Sequence, residues 1–262
     1  MLLDAKTKRP KRAHGRLVCG VLAAEHVVAV AVIAAVAAAL IAAARLWPGE
    51  WTKLAARALA VVLVSAEVGW WIYLWRTGAR GADLATALPL QLCDFAIFVA
   101  AFALVLRRQL LVEVTYFWGL AGTIQALITP DLPQHFPNFL YFQYYVAHGG
   151  IVTAALFLVV GLGGWPRRNA VVLVFAITIA YALVLGAIDA ATGANYMYLR
   201  TKPGSGSGSL LDVLGPWPWY IAWAGLIALA LLLVLDAPFR LLRGRKRERD
   251  GAGADVGAEG RI

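Results

Sequence analysis

Two side chains of this 262-residue chain have the types needed for acyl transfer, the thiol of Cys93 and the imidazole of His148. A thiolate is a strong nucleophile whose pKa falls near a helix N-terminus, and a neighbouring histidine can take its proton. Counted from Pro89, Cys93 stands about 6 Å along its segment; counted from Asn138, His148 stands about 15 Å along another. Tilt of the two segments could bring them level. Each residue also has a plainer reading, as a small buried hydrophobe and as a hydrogen-bonded core histidine. Cys19, the other thiol, has no polar companion closer than Glu25. The cysteines show neither paired spacing nor a metal-ligand pattern, so no structural disulfide, metal or cofactor is expected.

Further polar residues sit inside apolar surroundings: Glu25, His26, Glu67, Gln91, Asp94, Gln125, Asp189 and, nearer the segment ends, Asp131 and Asn195. Gln91 and Gln125 are candidate oxyanion donors, and Asp94 or Glu67 could orient His148. Asn138, Tyr141, Tyr145 and His148 recur at three- and four-residue steps, as do Tyr181, Leu185 and Asp189, so each set forms one helical stripe. The tyrosines fit an interfacial belt as well as a cavity. Between Thr192 and Pro203 the chain is polar and aromatic, with Tyr196 beside Asn195, and Arg200 and Lys202 could hold a phosphate. The Gly204–Ser209 run has the composition of a hinge, which suits a lid bearing Trp217 and Trp219. An ordinary connecting loop with tryptophan anchors explains the same residues.

The elements that must position these groups are membrane helices. The chain is 61% apolar and 15% charged, with a mean hydropathy of +0.71, against about 45–50% and 25% in soluble domains. Its apolar residues come in blocks near the roughly 20 residues that cross the hydrocarbon core. Seven can be marked: Val18–Ala44, Leu54–Trp75, Ala85–Leu106, Leu110–Ile128, Phe139–Leu162, Ala170–Ala191 and Trp217–Leu235. The fold class is therefore all-α, a polytopic transmembrane bundle of about seven spans. A basic arm (1–17), a transmembrane domain (18–238) and a basic, disordered tail (239–262) divide the chain. The first block is too long for a signal-peptide h-region of about 7–15 residues and is read as a retained helix. Gly119, Gly122, Gly149 and Gly150 leave room for close helix approach.

Helix parity then says where the polar residues fall. With the N-terminus on face A, helices 1, 3, 5 and 7 start there and helices 2, 4 and 6 end there. Nearly all the polar residues named above lie toward A, with Glu113 as the main exception. Ionisable groups inside a membrane are costly unless paired or hydrated, so they mark a polar cavity. A transporter or solute-binding protein with Glu67, His26 and Asp189 as ion or proton ligands is the rival to an enzyme. Seven spans do not halve into an inverted repeat, however.

The net charge of +9 resides mostly in the termini. Without interleaved aromatics it suits anionic lipid headgroups and not nucleic acid. Arg45, Lys53, Arg57, Arg107, Arg108, Arg167 and Arg168 follow odd-numbered helices, on the side of the C-terminal tail. That places the C-terminus in the cytoplasm, although the basic N-terminal arm argues the other way.

Several stretches carry a family resemblance. They are Leu88-Pro-Leu-Gln-Leu-Cys93-Asp94, Phe117-Trp-Gly-Leu-Ala-Gly-Thr-Ile-Gln-Ala-Leu-Ile-Thr-Pro-Asp131, His148-Gly149, Gly193 to Pro203 and Ser209 to Tyr220. In this order they resemble the bacterial YwaF-like integral membrane proteins, a family similar to eukaryotic transmembrane protein 164 and more distantly to the androgen-induced membrane hydrolases. The resemblance runs from about Glu25 to Pro238. It implies a membrane-embedded phospholipid acyltransferase or lipid ester hydrolase in the cell membrane, with Cys93 as nucleophile and His148 as base. Where the family has a histidine two residues before the cysteine, this chain has Gln91, which can donate a hydrogen bond but not relay a proton.

Overall fold

A computed structural model describes residues 24–78, 88–130, 132–202 and 210–259, with side chains through Gly244 except those of residues 210 and 212. The basic arm at 1–17, Cys19, Asp131 and the Gly/Ser run lie outside the described residues. Every regular element described is helical: α1 (Ala24–Leu46), α2 (Trp51–Thr77), α3 (Leu92–Leu106), α4 (Gln109–Ile128), α5 (Phe139–Gly161), α6 (Ala170–Thr192) and α7 (Trp219–Glu259).

Six of these are long and apolar enough to cross a membrane; α3, with 15 residues, is shorter. The sequence block expected there began at Ala85, but the helix starts at Leu92; Pro89 disfavours helical geometry at Leu88, and Gln91 is still extended as the N-cap. Leu88–Gln91 instead forms a non-helical approach. At the other end, α7 passes through Pro238 and runs to Glu259, so the boundary expected at 239 falls inside a continuous helix. The Arg, Lys and Glu residues that suggested a solvated tail are also good helix formers.

The bundle has an inside and an outside. Over half of the most apolar stretch of α4 (56%) and of α5 (61%) is buried, against 11–17% in α1, α2, α6 and α7, so α4 and α5 form the centre. Leu63, Ile97, Phe117, Ile151 and Phe157 fill the core between them and α2 and α3. Val28, Val172, Leu183 and Val234 point outward from the peripheral helices, as lipid-facing residues do. Close approach at the centre depends on glycine. A Cβ on Gly149 would lie 2.5 Å from Ile33 Cδ1 of α1, and one on Gly122 would lie 3.3 Å from Leu92 of α3.

Two π-helical turns interrupt the central helices, Trp118–Thr123 in α4 and Phe157–Gly161 in α5. The first coincides with the Trp-Gly-Leu-Ala-Gly-Thr stretch and faces the start of α3. Such single-turn expansions re-aim side chains and recur at functional sites.

Face B, opposite face A, holds buried polar residues beyond the exception already named. Glu113 and Asp236, both fully buried, lie at the opposite face B. Glu113 accepts hydrogen bonds from Arg167 N (2.8 Å), Nε (2.9 Å) and Nη2 (2.7 Å), tying α4 to the α5–α6 loop. Beside it in the sequence of loops, Asp236 is paired with Arg240 one turn along α7 and lies 3.6 Å from Arg243. The exception expected at Glu113 is thus joined by Asp236. Buried charge is present at both faces, and at B it is neutralised by arginine.

Candidate functional site

Helix α3 begins at the wall of a cavity of about 540 Å³, within the range of small-molecule sites. Its lining includes Gln91, Cys93 and Asp94 from the start of α3, Tyr144 and His148 from α5, and Tyr198 from the α6–α7 loop. Leu132, Pro133 and Gln134 of the α4–α5 loop complete the face-A side. Cys93 and His148 therefore border one cavity, and no hydrogen bond joins them directly.

The helix start supplies the electrostatics around the thiol. Gln91, the N-cap of α3, is extended (φ −63°, ψ 149°) and its side chain makes no capping bond. The first-turn N–H groups and the positive end of the helix dipole therefore surround Cys93, the second helical residue. Asp94 follows Cys93 in this first turn as its one acidic residue. Cys93 is free and half-buried. From the end of the π turn, the Thr123 side chain reaches the thiol.

His148 is oriented by backbone. Its Nδ1 lies 2.8 Å from the Tyr144 carbonyl oxygen, which can only accept. Nδ1 therefore carries the hydrogen, and Nε2 of the neutral ring keeps its lone pair. The Tyr144 ring lies against the imidazole with centroids 4.3 Å apart. Its hydroxyl donates to the Ala126 carbonyl at 2.7 Å, which fixes α5 against the end of α4. This corrects the expectation that Asp94 or Glu67 orients the ring. Glu67 accepts from Trp71 Nε1 at 2.8 Å, and Asp94 lies in the first turn of its own helix.

Gln91 is fixed from one end. Its Oε1 accepts the Met197 backbone N–H at 3.0 Å, and since an N–H can only donate, the amide NH2 must be the other end. That leaves a donor at the cavity wall, beside the uncapped helix start. Gln125, the other expected oxyanion donor, does not line the cavity. Its Nε2 turns back toward the Ala121 carbonyl of its own helix, at 3.5 Å.

The α6–α7 loop is built differently from the expected phosphate-binding lid. Asp189, fully buried at the end of α6, accepts the Tyr196 N–H at 2.9 Å. The Asn195 side chain donates to the Thr201 carbonyl and hydroxyl and accepts from the Arg200 and Thr201 N–H groups. These residues knit the loop to itself. Arg200 Nη1 donates to the Ala194 carbonyl, and the Lys202 ammonium lies 5.3 Å from the centre of the Tyr220 ring. Trp217 Nε1 donates to the Leu199 carbonyl, and both Trp217 and Trp219 are largely exposed. None of Arg200, Lys202, Trp217 and Trp219 borders the cavity. Tyr198 does, from a left-handed backbone (φ 56°) next to Met197 (φ 52°). Sequence periodicity could not reveal it, because side-chain direction in an irregular loop follows from tertiary bonds.

Trp70 and Gln134 were missed for similar reasons. Trp70 looks like any lipid-facing tryptophan until α2 is placed beside α3, and Gln134 belongs to a loop with no period. Among the described residues no group of three or more His, Cys, Asp or Glu side chains could hold a metal ion. His26 Nδ1 lies 2.7 Å from the Tyr145 hydroxyl, while Glu67 and Asp189 hold the partners given above.

A family model described as the TMEM164 family matches residues 21–236, most of the chain. The chain belongs to the TMEM164 family. The match runs from before α1 to Asp236 and so encloses every residue of the cavity wall. No curated protein and no solved structure matches the chain, and the likeness to YwaF-like proteins and androgen-induced hydrolases rests on the sequence motifs alone. Family and helices together make this TMEM164-family chain a multi-pass membrane protein.

Proposed function

We propose that this protein is a lipid acyltransferase or lipid ester hydrolase of the cell membrane that works through a thioester on Cys93. One observation supports the reading above the others. A thiol at an uncapped helix start and an imidazole with its Nε2 free line the same membrane-embedded cavity. The resemblance to transmembrane protein 164 points the same way.

In the proposed reaction, the Cys93 thiol gives its proton to His148 Nε2 and the thiolate attacks the ester carbonyl carbon of a membrane lipid. The α3 first-turn N–H groups and the Gln91 amide steady the oxyanion. The C–O bond breaks, and the departing alkoxide takes the proton from His148. The acceptor hydroxyl, from water or a second lipid, then gives its proton to His148 and attacks the thioester. The C–S bond breaks, and the proton returns to the sulfur. No metal or cofactor enters these steps.

The test is acyl exchange between lipids in proteoliposomes, with mass-spectrometric detection of the acyl-cysteine. Wild-type protein should form a hydroxylamine-sensitive adduct on Cys93 that is absent from Cys93→Ala. Full exchange activity in Cys93→Ala would overturn the proposal. Uptake of an ion or solute into the same vesicles, unaffected by Cys93→Ala, would favour a transporter instead.

A further inference from the structure

At face B, away from the cavity of Cys93, the structure holds a second cavity of about 320 Å³ lined by Arg168, Arg240, Arg243 and Gly244. Three positive charges around one small volume repel one another unless something answers them. Asp236 supplies one negative charge, so the cluster keeps a net charge of +2. Glu113 does not contribute, since it is matched by Arg167.

The arginines are not equivalent. Arg243 is tied down by its own protein, with Nη1 donating to the Pro166 carbonyl at 2.8 Å and Nε to the Phe239 carbonyl at 3.0 Å. Arg240 is anchored through Nε to the buried Asp236, which leaves its two terminal nitrogens without a protein partner among the described residues. Arg168 is exposed and has no partner among the described residues. A guanidinium held at Nε presents its remaining N–H groups as a fixed fork, the arrangement that matches phosphate oxygens.

The surroundings belong to a membrane interface. Leu241 and Leu242 on α7 are 68% and 46% exposed beside the arginines, and Trp165 (41% exposed) flanks the loop that carries Arg168. Tryptophan and arginine over exposed leucine is the sequence of chemistries met on passing from headgroup to acyl chain.

We infer that the Arg168–Arg240–Arg243 cavity is a binding site for a phosphate-bearing anion, with an anionic phospholipid headgroup as the source its apolar rim favours. The site does not depend on the chemistry at Cys93. Two of its three arginines also lie beyond the family-matching span, which ends at residue 236.

The experiment uses the full chain in dodecyl maltoside micelles, titrated separately with phosphatidylglycerol, phosphatidylcholine and inorganic phosphate. Apparent affinity is read from the rise in unfolding temperature, since a ligand that binds only the native state stabilises it by mass action. Phosphatidylglycerol should stabilise the wild type and phosphatidylcholine should not. Arg168→Gln, which removes an exposed side chain that folding does not use, should weaken the phosphatidylglycerol effect by about tenfold. Lys53→Gln, which removes one charge from the same face outside the cavity, should leave it unchanged. Equal stabilisation by inorganic phosphate, lost in Arg168→Gln, would keep the site and assign it to a soluble anion. Equal weakening by Lys53→Gln and Arg168→Gln, or no weakening by either, would overturn the inference.

Discussion

At the scale of single residues, the Tyr144 carbonyl decides which nitrogen of His148 can act as a base. A backbone oxygen does this at no cost in buried charge, whereas a carboxylate at this depth would itself need a partner. The proposed chemistry should therefore be insensitive to the carboxylates nearby. Labelling of Cys93 by a lipid-like thiol-reactive probe should slow about 100-fold or more in His148→Gln, the scale of a lost general base. In Glu67→Gln and Asp94→Asn it should change by no more than about threefold, since Gln and Asn keep a side-chain acceptor at each position. A Glu67→Gln rate as low as that of His148→Gln would make Glu67 the orienting group after all. The sequence allowed Gln91, Cys93, Asp94 and His148 to be placed toward one face because parity along a membrane helix needs only counting, but not at one depth, since counting left Cys93 and His148 at about 6 and 15 Å. It could not place Gln125 or Trp217, whose directions follow from bonds to the Ala121 and Leu199 carbonyls. The tyrosine stripe on α5 was legible as a stripe, while the carbonyl that matters there carries no sequence signature at all.

At the scale of elements, the feature that sets the site is the entry into α3. With 15 residues, α3 spans about 22 Å, short of the roughly 30 Å hydrocarbon core, so Leu88–Gln91 must reach it as non-helical chain. Irregular backbone at membrane depth is tolerated where protein or a cavity satisfies its polar groups. Two tyrosine hydroxyls do so here. Tyr196 accepts the Leu88 N–H at 3.2 Å, and Tyr181 donates to the Leu90 carbonyl at 3.0 Å. Tyr181→Phe removes that donor without changing the ring, which packs against Phe95 with centroids 5.0 Å apart. It should destabilise the protein by about 1 kcal/mol, the net worth of a hydrogen bond to this part-buried acceptor. A melting temperature in micelles equal to that of wild type would mean that water, not Tyr181, meets the Leu90 carbonyl. Six of the seven blocks were legible because an apolar run of membrane length is hard to mistake. The short helix was overextended because Leu88 and Leu90 look as apolar in an extended segment as in a helix. The π turn was visible only as a pair of glycines, whose partners Leu92 and Ile151 lie on other helices.

At the scale of the whole molecule, the two faces differ in charge and in access. Face A holds the mouth of the large cavity, built from the α4–α5 and α6–α7 loops, whereas face B closes its buried carboxylates with arginine. Helix parity puts the tail that follows α7 on face B, and we propose from the Lys and Arg residues of the B loops that this face is cytoplasmic, against the opposite pull of the basic N-terminal arm. Cys93 should then be reached from outside the cell, opposite the C-terminus. A membrane-impermeant methanethiosulfonate reagent checks this in a Cys19→Ser background, applied to intact cells and to inverted vesicles. The expected outcome is labelling of Cys93 from the outside alone. Gln134→Cys, in a second background lacking both native thiols, reports on the mouth itself if bulk keeps the reagent from Cys93. Labelling of either position from the cytoplasmic side alone would reverse the orientation while preserving the two-faced fold, because parity and orientation are independent. Accessibility from the same side as a reporter on the C-terminal tail would instead break the parity, and with it the division of the molecule into a cavity face and an arginine face.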